Sequence, residues 1–181
     1  MILNLFKRKK ANQALVERQY AEITRAARSP RFYEEMGVPD TVMGRFEMIS
    51  VHLILYLRRT GAAGAAAKGI AQDIVDAFFE DVDHSIRELG IGDTSVPKRM
   101  KKLARMFYGR AQSYGMALDA DDRPGLVAAL KRNIYPDHGD TAPSMQALAD
   151  WLFGAAQALG DVSEETLAAG QLAFPSADLE R

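Results

Sequence analysis

The sequence predicts an all-α fold, one compact helical-bundle domain of about seven helices. Three observations carry this. Apolar residues recur at helical spacing along most of the chain. Alternating runs of β-branched residues, the mark of half-buried strands, are missing. Ala, Leu, Met, Arg and Glu, which favour helices, are plentiful. With 181 residues, 48% hydrophobic and 26% charged, the chain can bury one sizeable core and is not a mainly disordered polymer.

The elements follow in order. Asn12 to Arg28 reads as the first helix, behind a flexible basic segment at 1–10. Ser29 followed by Pro30 is an N-cap with proline at the first helical position, opening a short helix to Met36. Gly37-Val38-Pro39 breaks it, and Asp40 is the expected cap of a helix over Thr41 to Arg59. After the small-residue loop Thr60 to Gly64, helix runs from Ala65 to Leu89 and stops at Gly90-Ile91-Gly92. Asp93 or Ser95 caps the next helix, which has Pro97 in its first turn and continues to Leu118. Asp119 to Asp122 is a turn. Pro124 to Tyr135, Ser144 to Leu159 and Glu164 to Ala169 complete a single all-α domain over 11–170, with 171–181 as a loose C-terminal tail.

Composition excludes several function classes. There is no cysteine, so disulfides, thiolate metal sites and cysteine nucleophiles are out. The formal net charge of −1 excludes a globally basic nucleic-acid binder, and no sequence-specific nucleic-acid partner is expected. No apolar run reaches the length of a spanning helix. The apolar residues Ile2, Leu3, Leu5 and Phe6 precede Lys7-Arg8-Lys9-Lys10, the reverse of a secretory signal. A cytoplasmic protein is the plain expectation. The alternative is that this end dips into an anionic membrane surface, placing the protein at the periphery of that membrane. Signature glycine loops, nucleophile elbows and His-Glu pairs are missing, so no enzyme, cofactor or metal is expected.

Charge is unevenly spread. Residues 1–110 carry 19 basic and 13 acidic residues, while 111–181 carry 4 and 11. Six basic residues fall between Lys98 and Arg110 with no acid among them. On the helix they occupy, Lys98, Lys101, Lys102 and Arg105 cover the face opposite the core stripe Met100, Leu103, Phe107, Tyr114 and Leu118. Such a face is a solvated surface, or a docking patch for ribosomal RNA, lipid headgroups or an acidic protein.

Two other helices are unusual. Thr41–Arg59 is apolar on two sides, Phe46, Ile49, Leu53 and Leu57 on one and Met48, Val51 and Leu55 on the other. Arg45, His52 and Arg59 run between them. Such a helix is central in its bundle or half-covered by a partner. On Ala65–Leu89 the core stripe is Ile70, Ile74, Phe78, Val82, Ile86 and Leu89. Asp81 and Glu88 project from its edge, where a carboxylate needs a partner such as Arg45. Asp81-x-x-His84 has a metal-like spacing, but a di-iron bundle needs Glu-x-x-His motifs that do not occur here.

Three segments taken together carry a resemblance: Pro39-Asp40-Thr41-Val42-Met43-Gly44-Arg45-Phe46-Glu47-Met48 with His52 following; Phe78-Phe79-Glu80-Asp81-Val82-Asp83 with Ile86-Arg87-Glu88-Leu89-Gly90-Ile91-Gly92-Asp93; and Val96-Pro97-Lys98-Arg99-Met100-Lys101-Lys102 through Phe107-Tyr108-Gly109-Arg110. Their order and spacing resemble the ubiquinol–cytochrome c chaperone family, assembly factors of the cytochrome bc1 complex in mitochondria and alphaproteobacteria.

The resemblance implies an all-helical, non-enzymatic chaperone that binds newly made or unassembled cytochrome b and supports bc1 biogenesis. Mitochondrial members contact the ribosome and work with a small partner protein. Carried over by motif, the client or partner surface is Arg45, Phe46, Glu47, Met48, His52, Phe78, Phe79, Asp81, Asp83, Arg87, Gly92, Asp93, Arg99, Phe107, Tyr108 and Arg110. Lys98, Lys101, Lys102 and Arg105 form the basic surface for ribosome or membrane. The chain lacks the long N-terminal region of mitochondrial members, which points to a bacterial one. Two other readings stand beside it: a helical adaptor at a membrane or ribosome surface with an unspecified client, and a metal- or haem-binding helical enzyme using His52 or His84 with Asp81.

Overall fold

Helix α3 (Val42–Gly61) is the axis of the fold, packed against α1 (Ile2–Ala27), α4 (Ala65–Glu88), α5 (Val96–Asp119) and α7 (Gln146–Gly160). The computed structural model describes residues 2–90, 92 and 94–177, with side chains described from Asn12 onward. Short helices α2 (Pro30–Glu34) and α8 (Glu164–Ala168), α6 (Arg123–Ile134) and a 3-10 turn at Gly139–Thr141 complete it. No strand occurs among the described residues, as the missing alternation predicts.

The two-sided apolar pattern of α3 resolves as central burial. Phe46, Met48, Val51 and every residue from Leu53 to Tyr56 are buried together, so both stripes face neighbouring helices. Arg45, His52 and Arg59 do not form one polar seam. Arg45 is exposed, His52 is fully buried, and Arg59 donates from Nε to the Val162 carbonyl at 3.1 Å.

Four further expectations are corrected. Helix α1 begins at Ile2 rather than Asn12, because the Lys-rich stretch and Ala11 to Leu15 contain no breaker. The cap of α3 is Thr41, whose hydroxyl accepts from the Gly44 amide at 3.0 Å, not Asp40. Leu89, assigned to the core stripe, is 60% exposed at the C-cap, just past the end of α4 at Glu88.

The fourth concerns the C-terminal tail. Residues 171–177 have no regular secondary structure but are not loose, since Leu172, Phe174 and Ala177 are buried. Gln19 of α1 donates from Nε2 to the Leu172 carbonyl at 2.8 Å, and its Oε1 accepts from the Leu172 amide at 3.1 Å. Trp151 Nε1 donates to the Ser176 carbonyl at 3.2 Å. Satisfied backbone groups let an irregular segment enter the core without the usual desolvation cost.

The expected terminator holds at the end of α4. Gly90 has φ +74° and its amide donates to the Arg87 carbonyl, a left-handed exit that glycine adopts freely. Asp93, one of the two expected caps of α5, lies outside the described residues. Ser95 takes the cap position, but its hydroxyl donates to the Gly92 carbonyl instead of accepting from α5.

Candidate binding groove

An apolar groove of about 360 Å³ opens where the start of α3, the C-terminal half of α4 and Leu103 of α5 converge. Thr41 and Gly44 set its first wall. The cap holds the first turn, and the bare Cα of Gly44 lets the Pro39 carbonyl come close enough that a Cβ would sit 1.8 Å from its oxygen. That turn leaves Val42 61% and Met43 44% exposed on the groove, facing Leu89 as the third exposed apolar residue of the lining. Phe46 and Phe78, buried and stacked with centroids 5.8 Å apart, also line it.

Arg28, Arg45, Asp81 and Glu88 complete the lining with two charges of each sign. Arg45 does not pair with the carboxylates of α4. Its Nε donates to Asp40 at 2.9 Å across an exposed pair. Asp81 instead accepts from the Tyr20 hydroxyl at 2.8 Å. Burial, with that bond to Asp81 second, pushes the Tyr20 phenol far above its ordinary value. Asp81 and Glu88 are both exposed, so neither is the buried carboxylate that the stripe edge implied.

The buried carboxylate is Glu47, one turn further into α3. Arg110 of α5 donates to it from Nε and Nη2, each at 2.5 Å, with both side chains almost fully enclosed. Arg110 also donates to the carbonyls of Met106 and Asn133. Burial pushes the Glu47 carboxyl up, and the guanidinium opposes it. The pair locks α3 to α5.

His52 sits among the rings of Phe32, Trp151 and Phe174, with centroids 5.4, 5.0 and 4.9 Å away. Its Nδ1–H donates to the Met48 carbonyl at 2.8 Å, which leaves Nε2 buried without a partner among the described residues. Burial pushes its pKa down to about 4. A neutral, enclosed imidazole of this kind is a packing element, with no open position for a haem or metal. Among the described residues no cluster of three or more His, Asp or Glu could hold a metal ion.

The remaining predicted residues divide between core and surface. Met48 and Phe107 are core. Phe79, half-buried, stacks near Phe107 and exposed Tyr108. Asp83 and Arg87 form an i,i+4 pair at 2.6 Å on the surface of α4, and the Arg87 guanidinium holds the Asp83 carboxyl below its usual range. Gly92 and Arg99 are exposed, and Asp93 lies outside the described residues. Lys98, Lys101, Lys102 and Arg105 are all exposed on α5, as the helical angle predicts. Of the motif residues the structure thus brings Arg45, Phe46, Phe78 and Asp81 into one groove. Val42 and Met43 stand inside the first motif; their signal was an apolar pair in a helix's first turn, before the buried stripe begins.

Residues 34–174 match the family model described as ubiquinol-cytochrome C chaperone. A Xenopus laevis protein named ubiquinol-cytochrome-c reductase complex assembly factor 1 is 28% identical over 136 residues, 75% of this chain and 68% of its own length. The mouse and human proteins of that name are each 25% identical over 150 residues, and the match spans half of their length. The crystal structure of the Cbp3 homolog from Brucella abortus superposes with a TM-score of 0.88 at 52% identity, covering 98% of both chains.

Proposed function

Since this chain belongs to the ubiquinol-cytochrome C chaperone family, we propose that it is a non-enzymatic chaperone that holds cytochrome b, newly made or unassembled, during biogenesis of the bc1 complex. One observation carries the reading. Three of the five large apolar residues left exposed among the described residues, Val42, Met43 and Leu89, lie in one groove with the motif residues Arg45, Phe46, Phe78 and Asp81. Exposed apolar surface gathered beside a cleft marks a site that another chain covers. A cytochrome b segment awaiting its partners presents the apolar helix face that such a groove accepts.

The other motif residues serve this reading indirectly. Glu47 with Arg110, and Met48, His52 and Phe107, hold the helices that shape the groove. The relatives named as reductase complex assembly factors support a client within that complex. A ribosome contact and a small partner protein belong to the same reading.

The test is capture and complementation. Tagged chain purified from its own cells should bring cytochrome b with it. Val42→Asp combined with Leu89→Asp should abolish that capture and lower bc1 levels while thermal unfolding stays unchanged, because both positions are exposed. Unchanged cytochrome b and bc1 activity after deletion of the gene would overturn the proposal.

A further inference from the structure

We propose that the outward face of α5 is a docking surface for an anionic lipid bilayer. The inference goes beyond the groove and uses other residues. From Val96 to Leu118 the helix contains no Asp or Glu. Its inward cation, Arg110, is taken by Glu47. Lys98, Lys101, Lys102 and Arg105 stand exposed, with no ion pair among the described residues. Asp119, which ends the helix, is held by Arg58 at 2.8 Å.

The same face continues past the cations. At 100° per residue Tyr108 and Met116 share a sector of about 120° with the four basic residues. They are 57% and 64% exposed, the two large apolar side chains of the described residues that leave the core outside the groove. A row of solvated cations followed by an exposed tyrosine and methionine matches the layering of a membrane surface. Lysine stems reach phosphate, tyrosine sits at headgroup depth, and methionine buries below it.

An RNA backbone would attract the lysines but would leave Met116 uncovered, and no aromatic residue stands among the four cations to stack a base. Phe79 and Tyr108, with centroids 6.3 Å apart, mark the seam with α4. Beyond that seam Asp76, Glu80 and Asp83 line a separate notch. Their charge repels the same bilayer, so the seam fixes which side of α5 lies down.

Co-sedimentation with phosphatidylcholine vesicles, with and without about 30 mol% phosphatidylglycerol, tests this, the anionic fraction supplying the surface potential. The expected result is binding to the anionic vesicles alone, weakened by salt. Charge reversal by K98E, K101E, K102E and R105E together should cost about tenfold or more in vesicle affinity. Y108S with M116S should remove the part of binding that survives high salt. Neutralising K98Q and K101Q gives a graded loss and guards against misfolding of the reversed variant. Equal binding by the reversed or neutralised chain overturns the proposal, as does tighter binding to a duplex RNA than to vesicles. Capture of cytochrome b from detergent extract stays intact when only Lys98, Lys101, Lys102 and Arg105 are changed, since none of them lines the groove; failure of capture by the natural chain itself counts against the groove and not against this face.

Discussion

Glu47 and Arg110 lie 63 positions apart in sequence and meet as a carboxylate and a two-pronged guanidinium inside the bundle. The geometry satisfies both oxygens, and two of the guanidinium's three remaining donors go to the carbonyls of Met106 and Asn133. Such a pair is a weak source of net stability, since two charges have been taken out of water, but it is intolerant of losing one partner. Arg110→Met should therefore destabilise by about 3–5 kcal/mol, leaving a carboxylate stranded in the core. Adding Glu47→Gln should recover much of that loss. Chemical denaturation of the two single variants and the double one measures the coupling, and additive losses would contradict the paired geometry.

How far this could be read in the sequence depends on what each residue needs to know. The two-sided covering of α3 was open to inspection, because two apolar stripes on one helix demand two neighbours, while the choice between a helix of this chain and a partner needed the packing of the other helices. The glycine exit at Gly90 depends only on local backbone and was legible too. The partner of a buried acid was not. Helical angles put Asp81 and Glu88 at the edge of a stripe, but which edge is covered is decided by neighbouring helices. The enclosed acid proved to be Glu47, on the helix that packs against four others. Likewise Asp40 and Thr41 can both cap a helix, Asp40 being the better by preference, and a single position of chain entry decides between them. The groove was half legible. Its motif residues could be named, while the exposure of Val42, Met43 and Leu89 emerges from three elements converging.

His52 makes stability depend on mild acid. Its folded pKa of about 4 lies below the ordinary 6.5, because burial excludes the charged form. The unfolded chain takes up a proton as pH drops below 6.5 and the folded chain resists until about 4. The stabilising contribution is therefore complete above pH 6.5 and is lost as pH falls towards 4. At about 1.4 kcal/mol per pKa unit the loss amounts to about 3 kcal/mol. His52→Phe removes both the titration and the unpartnered Nε2. Subtracting its urea-denaturation profile from that of the natural chain over this range should isolate a slope of that sign. Parallel profiles would mean that the buried imidazole is not what titrates.

Gly44 is where the groove's first wall can be broken by a single methyl group. The Cβ of an alanine there would collide with the Pro39 carbonyl oxygen, which is backbone and cannot rotate aside. Gly44→Ala should cost about 3 kcal/mol, equivalent to a fall of about 6–12 °C in Tm for a chain of this size. Because the collision pushes the first turn of α3 away from the 39–41 segment, Val42 and Met43 move with it. The variant should lose client capture at temperatures where it is still folded. A chain that keeps its melting temperature would show that the Pro39 approach is not tight.

The tail offers the last test, and it links α1 to the core chemistry. Gln19 treats the Leu172 backbone as a neighbouring strand would, donating to its carbonyl and accepting from its amide. Both groups are buried, so no water replaces a lost side chain easily. Gln19→Ala should destabilise by about 2–4 kcal/mol, more than an ordinary surface glutamine, since it orphans a donor and an acceptor together. Leu172→Ala should cost a similar amount by a different route, a cavity beneath the strap. The two are told apart by hydrogen exchange. Removing the clamp should speed exchange of the Leu172 amide beyond what global destabilisation explains. Phe174, carried by the same strap, stacks on His52, so local opening also admits water to the imidazole. Exchange at Leu172 that rises no faster than at the centre of α3 would show that the strap opens only with the whole fold.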